Sequence, residues 1–314
     1  MTRMEERRRF ELLGRCRPSV FKTDAIDHSA TSPSGQFTKW MVGLVIIHFS
    51  KVGWDMNFGL SGKVAMVAAA SKGIGLATAK LLASEGCAVS ICARTEGTLE
   101  TAAAEIGEDT RSYVVNVSSA ADLEWWYHQT LDDLGPVDIL VTNTGGPPAG
   151  DVFELADEEW SEGFESTLMN VVRLCRLLKD DMCERRWGRI VHVTSLVAKE
   201  PSSLLPISST LRAGIMALTR LQAIELGEFG VTVNSVLPGH TLTDRQTHLA
   251  EIRAEQLGIS PEEALRRQAR EIPLGRLAAA EEIGAAITFL CSQQAAYVTG
   301  VNLLVDGGIT RGLG

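Results

Sequence analysis

Tyrosine is the scarcest reactive side chain in this chain: among 314 residues only Tyr113, Tyr127 and Tyr297 carry a phenol. The sequence places them at a third strand, on the solvent side of a helix beside Trp125 and Trp126, and in a turn before the last strand, so no two share a site. The six cysteines (Cys16, Cys87, Cys92, Cys175, Cys183 and Cys291) show no C-x-x-C spacing. That excludes a zinc ribbon or a disulfide framework and leaves buried free thiols, as in a reducing cytosol. No metal site is expected. Positive charge is also short, with 30 Lys and Arg against 39 Asp and Glu and a net charge of −9. This disfavours nucleic acid and anionic membrane surfaces and points to a small-molecule partner. The apolar run Met41–Phe49 falls well short of the ~20 residues a spanning helix needs, and it lacks the cleavage pattern of a signal peptide.

What is present begins late. Residues 1–55 combine a charged opening, a Thr/Ser/Pro/Gly stretch at 31–35 and that apolar run, and read as an N-terminal extension, disordered or not native; the rival reading is an amphipathic anchor or oligomer arm. From Met56 to residue 314 the chain has the size of one domain. Apolar β-type runs at 64–69, 88–93, 112–116, 139–142, 189–194, 232–236 and 302–305 alternate with helical patterns near 74–85, 96–106, 119–134, 157–185, 207–228 and 280–291. The fold class is α/β: a single Rossmann-type, doubly wound parallel sheet of about seven strands in the order 3-2-1-4-5-6-7, with helices on both faces. Residues 241–275 interrupt the alternation with charged helical spacing.

Five segments carry chemistry: VAMVAAASKGIG at 64–75, DILVTNTGG at 138–146, GRIVHVTS at 188–195, VTVNSVLPG at 231–239 and YVTGVNLLVDGG at 297–308. In order and spacing they resemble the short-chain dehydrogenase/reductase family, over about residues 56–314, and in particular a divergent branch similar to 3-oxoacyl-carrier-protein reductases. The first strand-to-helix turn, with Ser71, Lys72, Gly73, Ile74 and Gly75, is where backbone N–H groups would meet a pyrophosphate; read alone it is a tight turn. The family's first two loop positions, Thr-Gly, are Ala68 and Ala69 here, and the Ala69 methyl narrows the backbone's approach. At the end of the second strand a carboxylate would hold the 2′-hydroxyl of NAD. Ala93 and Arg94 stand there, so with Lys72 nearby NADP(H) is favoured over NAD(H), although Arg94 also reads as a solvated helix-start residue. By resemblance Asn116 and Val117 border the adenine, Asn143 and Gly145 its ribose, and Pro238, Gly239 and Thr243 the nicotinamide; Thr243 reads equally as a helix cap. The segment 241–275 corresponds to a substrate-side lid.

Two of the family's four catalytic positions match. Ser195 ends the fifth strand as the orienting serine, and Asn170 occupies the asparagine position. The tyrosine and lysine positions hold Ser208 and Arg212. A serine hydroxyl is a far weaker acid than a phenol, and a guanidinium keeps its charge without relaying protons. Lys199 and His240 are the possible substitutes, set against plain readings as a solvated loop lysine and a turn residue; His192 reads as packed core. The resemblance implies an NADP(H)-dependent oxidoreductase of a carbonyl/alcohol pair, assembled as a tetramer or dimer. The alternative is a catalytically impaired nucleotide-binding homologue acting as partner subunit or redox sensor.

Overall fold

A computed structural model describes residues 57–312 of the chain. The extension at 1–55, its apolar run and Cys16 lie outside the described residues. Seven strands form one sheet: β1 (Val64–Val67), β2 (Ala88–Ala93), β3 (Thr110–Val114), β4 (Ile139–Thr142), β5 (Gly188–Val193), β6 (Val231–Pro238) and β7 (Asn302–Val305). Every neighbouring pair is parallel, in the order β3-β2-β1-β4-β5-β6-β7.

A parallel sheet needs cover on both faces, and the pleat of β1 shows how it is obtained. Val64, Met66 and Ala68 join a core with Trp126, Leu174 and Ile215, while Ala65 and Val67 join the opposite core with Leu82, Ile283 and Ile287. The first face is covered by α3 (Ala120–Leu134), α5 (Asn170–Glu184) and α6 (Pro206–Leu226), the second by α1 (Gly73–Ser84), α2 (Glu96–Ile106) and α9 (Ala280–Cys291). The strand order reverses between β1 and β4, so the connections leaving those strands diverge and open a crevice above their carboxyl ends.

The sequence boundaries shift for identifiable reasons. β1 stops at Val67 because Ala69 turns into the left-handed region at φ 48°. β3 starts two residues earlier than expected, pairing Thr110–Val114 with Val89–Ala93. The single helix expected at 157–185 is α4 (Asp157–Phe164), a π-helical turn at Glu165–Met169, and then α5. The segment 241–275, expected to form a lid, folds into two helices, α7 (Asp244–Leu257) and α8 (Pro261–Glu271). On α3 the apolar face is Leu123, Trp126, Tyr127 and Thr130, at helical spacing, and the Trp126 indole donates to Ser90 Oγ at 2.8 Å. Tyr127 is therefore buried, contrary to its expected solvent-side position, and only Trp125 faces out.

Five cysteines are free thiols, four of them buried, as expected. His192 is also core: its ring nitrogens meet Thr142 Oγ1 and Gln222 Oε1, each at 2.9 Å. On the long helices α5 and α6, Leu174 and Leu178 are fully packed, whereas Leu221 and its neighbour Ile224 on α6 are 58% and 65% exposed. Among the described residues no helix is long and apolar enough to cross a membrane.

Candidate active site

The crevice is a cavity of about 1030 Å³ lined from the carboxyl ends of β1 through β6 and from α7. At its centre β1 turns into α1. Lys72 precedes the helix in an extended conformation, no side chain caps the helix, and no acid lies in its first turn, so its first N–H groups remain available as donors. Gly73 has φ 58° and Gly75 sits where an added Cβ would lie 2.5 Å from the Ala69 carbonyl. Gly73 thus supplies the turn and Gly75 the close packing of helix on strand. Ala69, in a backbone region that a methyl disfavours, accepts a hydrogen bond from Asn143 Nδ2 at 3.2 Å. That bond ties the loop to the end of β4.

One end of the cavity holds Ala93, Arg94, Asn116 and Val117. No carboxylate stands at the tip of β2, and Arg94 is exposed. Lys72, expected to assist Arg94, instead pairs with Asp244 of the lid at 2.7 Å; the loop cation is drawn toward α7 because Asp244 opens that helix. Asn116 closes its own turn, its Oδ1 accepting from Ser118 N at 3.1 Å. Gly145 borders the cavity with nothing near its missing side chain, whereas a Cβ on Gly239 would reach 2.6 Å from Asp306 Cα. Thr243 caps α7, accepting from Gln246 N, and also lines the cavity, so the cap does not remove it from the cavity wall.

At the other end β5 delivers Ser195, whose Oγ accepts from Val197 N at 3.3 Å. Helix α6, begun by Pro206 at a position where no N–H is needed, presents Ser208 and Arg212 one turn apart. Arg212 is 6% exposed. Its Nη1 donates to the carbonyls of Val193 and Thr194, both at 2.8 Å, and its Nε donates to Ser208 Oγ at 3.1 Å. Burial, with the nearby like charge of Arg245 adding to it, pulls its pKa down to about 10; it remains a cation at neutral pH.

Asn170 lies just behind this wall, immediately after the π turn. Its Nδ2 donates to Ser166 O at 2.7 Å, while its Oδ1 is buried without a partner. Of the two substitute acids, His240 lines the cavity and Lys199, which follows the short 3₁₀ turn Leu196–Ala198, does not. Burial and the charge of Arg253 push the His240 pKa below its ordinary value, so its imidazole is neutral at pH 7. None of the three tyrosines borders the cavity, and Tyr113 is committed to Asp133 at 2.6 Å. The sequence reading missed Arg245, Gln246 and Arg253, which α7 turns into the cavity.

A family model described as enoyl-(acyl carrier protein) reductase matches residues 68–310. The 3-oxoacyl-[acyl-carrier-protein] reductase FabG of Vibrio cholerae is 35% identical over 251 residues, covering 80% of this chain and 98% of its own length. The chain belongs to the short-chain dehydrogenase/reductase family. Within that family it is similar to the 3-oxoacyl-carrier-protein reductases, FabG of Escherichia coli being 34% identical over 81% of this chain and 99% of its own. Among solved short-chain structures, L-sorbose reductase from Gluconobacter frateurii, complexed with NADPH and L-sorbose, superposes with a TM-score of 0.78 at 33% identity, over 82% of this chain and all of its own. An actinorhodin polyketide ketoreductase with NADPH superposes at 0.77, also at 33% identity, over 80% and 98% of the two chains.

Proposed function

We propose that this short-chain family member is an NADP(H)-dependent oxidoreductase of a carbonyl/alcohol pair in which Ser208 and Arg212 stand in for the tyrosine and lysine. One observation carries the reading: a buried guanidinium, hydrogen-bonded to Ser208 and to two carbonyls at the end of β5, is assembled in the same cavity as the uncapped turn at Gly73.

The residues fit a dinucleotide. The free N–H groups at the start of α1 suit its pyrophosphate, Arg94 without a carboxylate neighbour suits a 2′-phosphate, Asn116 and Val117 would border the adenine, and Asn143 with Gly145 its ribose. Arg212 would hold the nicotinamide ribose, with Pro238, Gly239 and Thr243 beside the ring. When bound, the nicotinamide supplies or accepts the hydride. NADPH in the two solved relatives supports the choice of cofactor.

Because Ser208 Oγ accepts from Arg212 Nε, its own hydrogen is free to be donated to a substrate oxygen. Ser195 offers a second hydroxyl from the adjacent strand end. The positive charge of Arg212, uncompensated by any nearby acid, stabilises negative charge that grows on that oxygen, an electrostatic effect worth roughly 3–4 kcal/mol where it has been measured in other enzymes. Neither Ser208 nor Arg212 titrates near neutrality, so the proton reaches the oxygen from another group that lines the cavity, such as His240, or from water. Assembly as a homo-oligomer through the exposed α6 face at Leu221 and Ile224 belongs to the same proposal and is checked by mass in solution.

Calorimetric titration of NADPH and NADH tests the cofactor; NADPH should bind at least tenfold more tightly. Turnover is then screened over ketones and alcohols, with Ser208→Ala and Arg212→Met expected to lower kcat/KM by about tenfold and a hundredfold or more. NADPH binding with no turnover of any carbonyl compound would replace the reductase reading with that of a nucleotide-binding partner subunit or redox sensor.

A further inference from the structure

The lid side of the cavity carries cations that the reduction of a neutral ketone does not require. Arg245 and Arg253 project from α7 into the same cavity as Arg212. Arg245 spends one N–H on the Pro147 carbonyl at 2.6 Å. Arg253 has its Nη1 buried with no hydrogen-bond partner at all. Among the described residues no carboxylate lies within 4 Å of any of the three guanidinium groups; the arginine ion pairs use other residues. Of the acids that border the cavity, Asp244 pairs with Lys72, Glu200 accepts from Arg311 N and Glu162 is exposed and forms no ion pair; Glu271 of α8 acts on Arg253 electrostatically but does not come within ion-pair distance of it.

Withdrawing cations from water without a direct ion-pair partner is costly, and a buried N–H left unpaired adds to the cost. Such a site is electrostatically incomplete until an anion enters. The wall beside it is apolar, formed by Val197, Leu205 and Leu249, which pack as one small cluster. Resting on the reductase reading of this site, we propose that its substrate is an organic acid, an oxo or hydroxy acid whose carboxylate is held by Arg253 and Arg245 while its apolar body lies on Leu249 and Val197. A planar guanidinium fork matches a carboxylate, and the orphaned Nη1 of Arg253 is the donor such a group would satisfy. The cofactor's 2′-phosphate is not that anion, since its expected partner Arg94 lies at the opposite end of the cavity. Its pyrophosphate is the competing source of the same charge, and the test separates the two.

The probes are 4-oxo-4-phenylbutanoate, a stable keto acid with an apolar body, and its methyl ester. Each is titrated into the full chain by calorimetry, with and without saturating NADP⁺, and NADPH is titrated separately. The acid should bind at least tenfold more tightly than the ester. Arg253→Gln should abolish that preference while leaving NADPH affinity within about twofold, and Arg253→Lys, which keeps the charge, should recover part of it. Equal binding of acid and ester to the wild-type protein would overturn the proposal. So would an Arg253→Gln variant that loses NADPH and acid together, which would assign the arginine to the pyrophosphate. If instead NADPH fails to bind the wild type while the acid still discriminates, the cofactor reading falls and the anion site stands.

Discussion

At the residue scale the pair Ser208–Arg212 sets a distinctive relation between rate and pH. A phenol–ammonium pair gives proton transfer a titrating donor, whereas a serine hydroxyl beside a guanidinium does not titrate in the neutral range. The Arg212 cation persists until its pKa of about 10. In the reduction direction kcat/KM should therefore be flat from about pH 6.5 to 9 and should fall above that as Arg212 loses its proton. His240, held below its ordinary pKa by burial, would appear as a limb on the acid side of that plateau. A profile with a midpoint between about pH 7 and 8 would show that another donor is at work. Ala69 makes a second prediction. Its φ of 48° costs an alanine on the order of 1 kcal/mol, and Ala69→Gly removes that strain while adding freedom to the unfolded chain. The two effects offset, so stability should move by less than about 1 kcal/mol while NADPH affinity rises severalfold as the loop gains room. Calorimetry on the variant checks this, and an unchanged affinity would show that the methyl does not obstruct the cofactor.

At the scale of elements, the contact of α1 on β1 depends on one missing side chain. A Cβ at residue 75 would sit 2.5 Å from Ala69 O, 2.9 Å from Ala70 Cα and 3.0 Å from Asn143 Nδ2. Two of these are backbone atoms that cannot swing aside. Gly75→Ala should cost about 1–3 kcal/mol by overpacking, read by urea denaturation, and should weaken NADPH by shifting the Ala69 loop. Gly145→Ala, at a glycine with open space around it, should change stability by less than about 0.5 kcal/mol. The same scale shows what the chain discloses before it folds. Strands and helices were legible because the apolar period switches repeatedly from two to 3.6, and Gly73, Ser195 and Ser208, which line the cavity, were picked out by the resemblance of their segments to the short-chain family. The π turn at Glu165–Met169 was not, since its residues continue the helical pattern on either side. Lys199 does not border the cavity, because its distance in sequence from Ser195 does not fix where the intervening 3₁₀ turn places it. Arg253 had a signal that went unread: it falls four residues after Leu249, in the buried register of α7, where an arginine needs a partner.

For the whole molecule, buried groups that cannot ionise in place bound the stability at both ends of the pH scale. His192 lies at the centre of the sheet on β5, between β4 and β6, bonded to Thr142 and Gln222. Burial presses its pKa from 6.5 to about 4. Between those values the unfolded chain binds a proton that the folded chain refuses, so stability rises with pH across that window and is lost as pH falls from 6.5 toward 4. The loss attributable to this one group is on the order of 3 kcal/mol. The carboxylates with lowered values, Asp122 and Glu282 among them, act with the same sign but at lower pH, because their unfolded pKa values lie near 4. On the alkaline side the relation reverses. Burial raises the thiols of Cys87, Cys92 and Cys175 to about 12, so above pH 9 the unfolded chain sheds protons that the folded chain keeps, and stability falls as pH rises. Urea midpoints measured from about pH 4 to 10.5 should trace a dome, flat between roughly 6.5 and 9. In His192→Gln the acid limb should begin about two pH units lower while the alkaline limb is unchanged. An acid limb that keeps its position in that variant would assign the loss to other groups and remove His192 from the account.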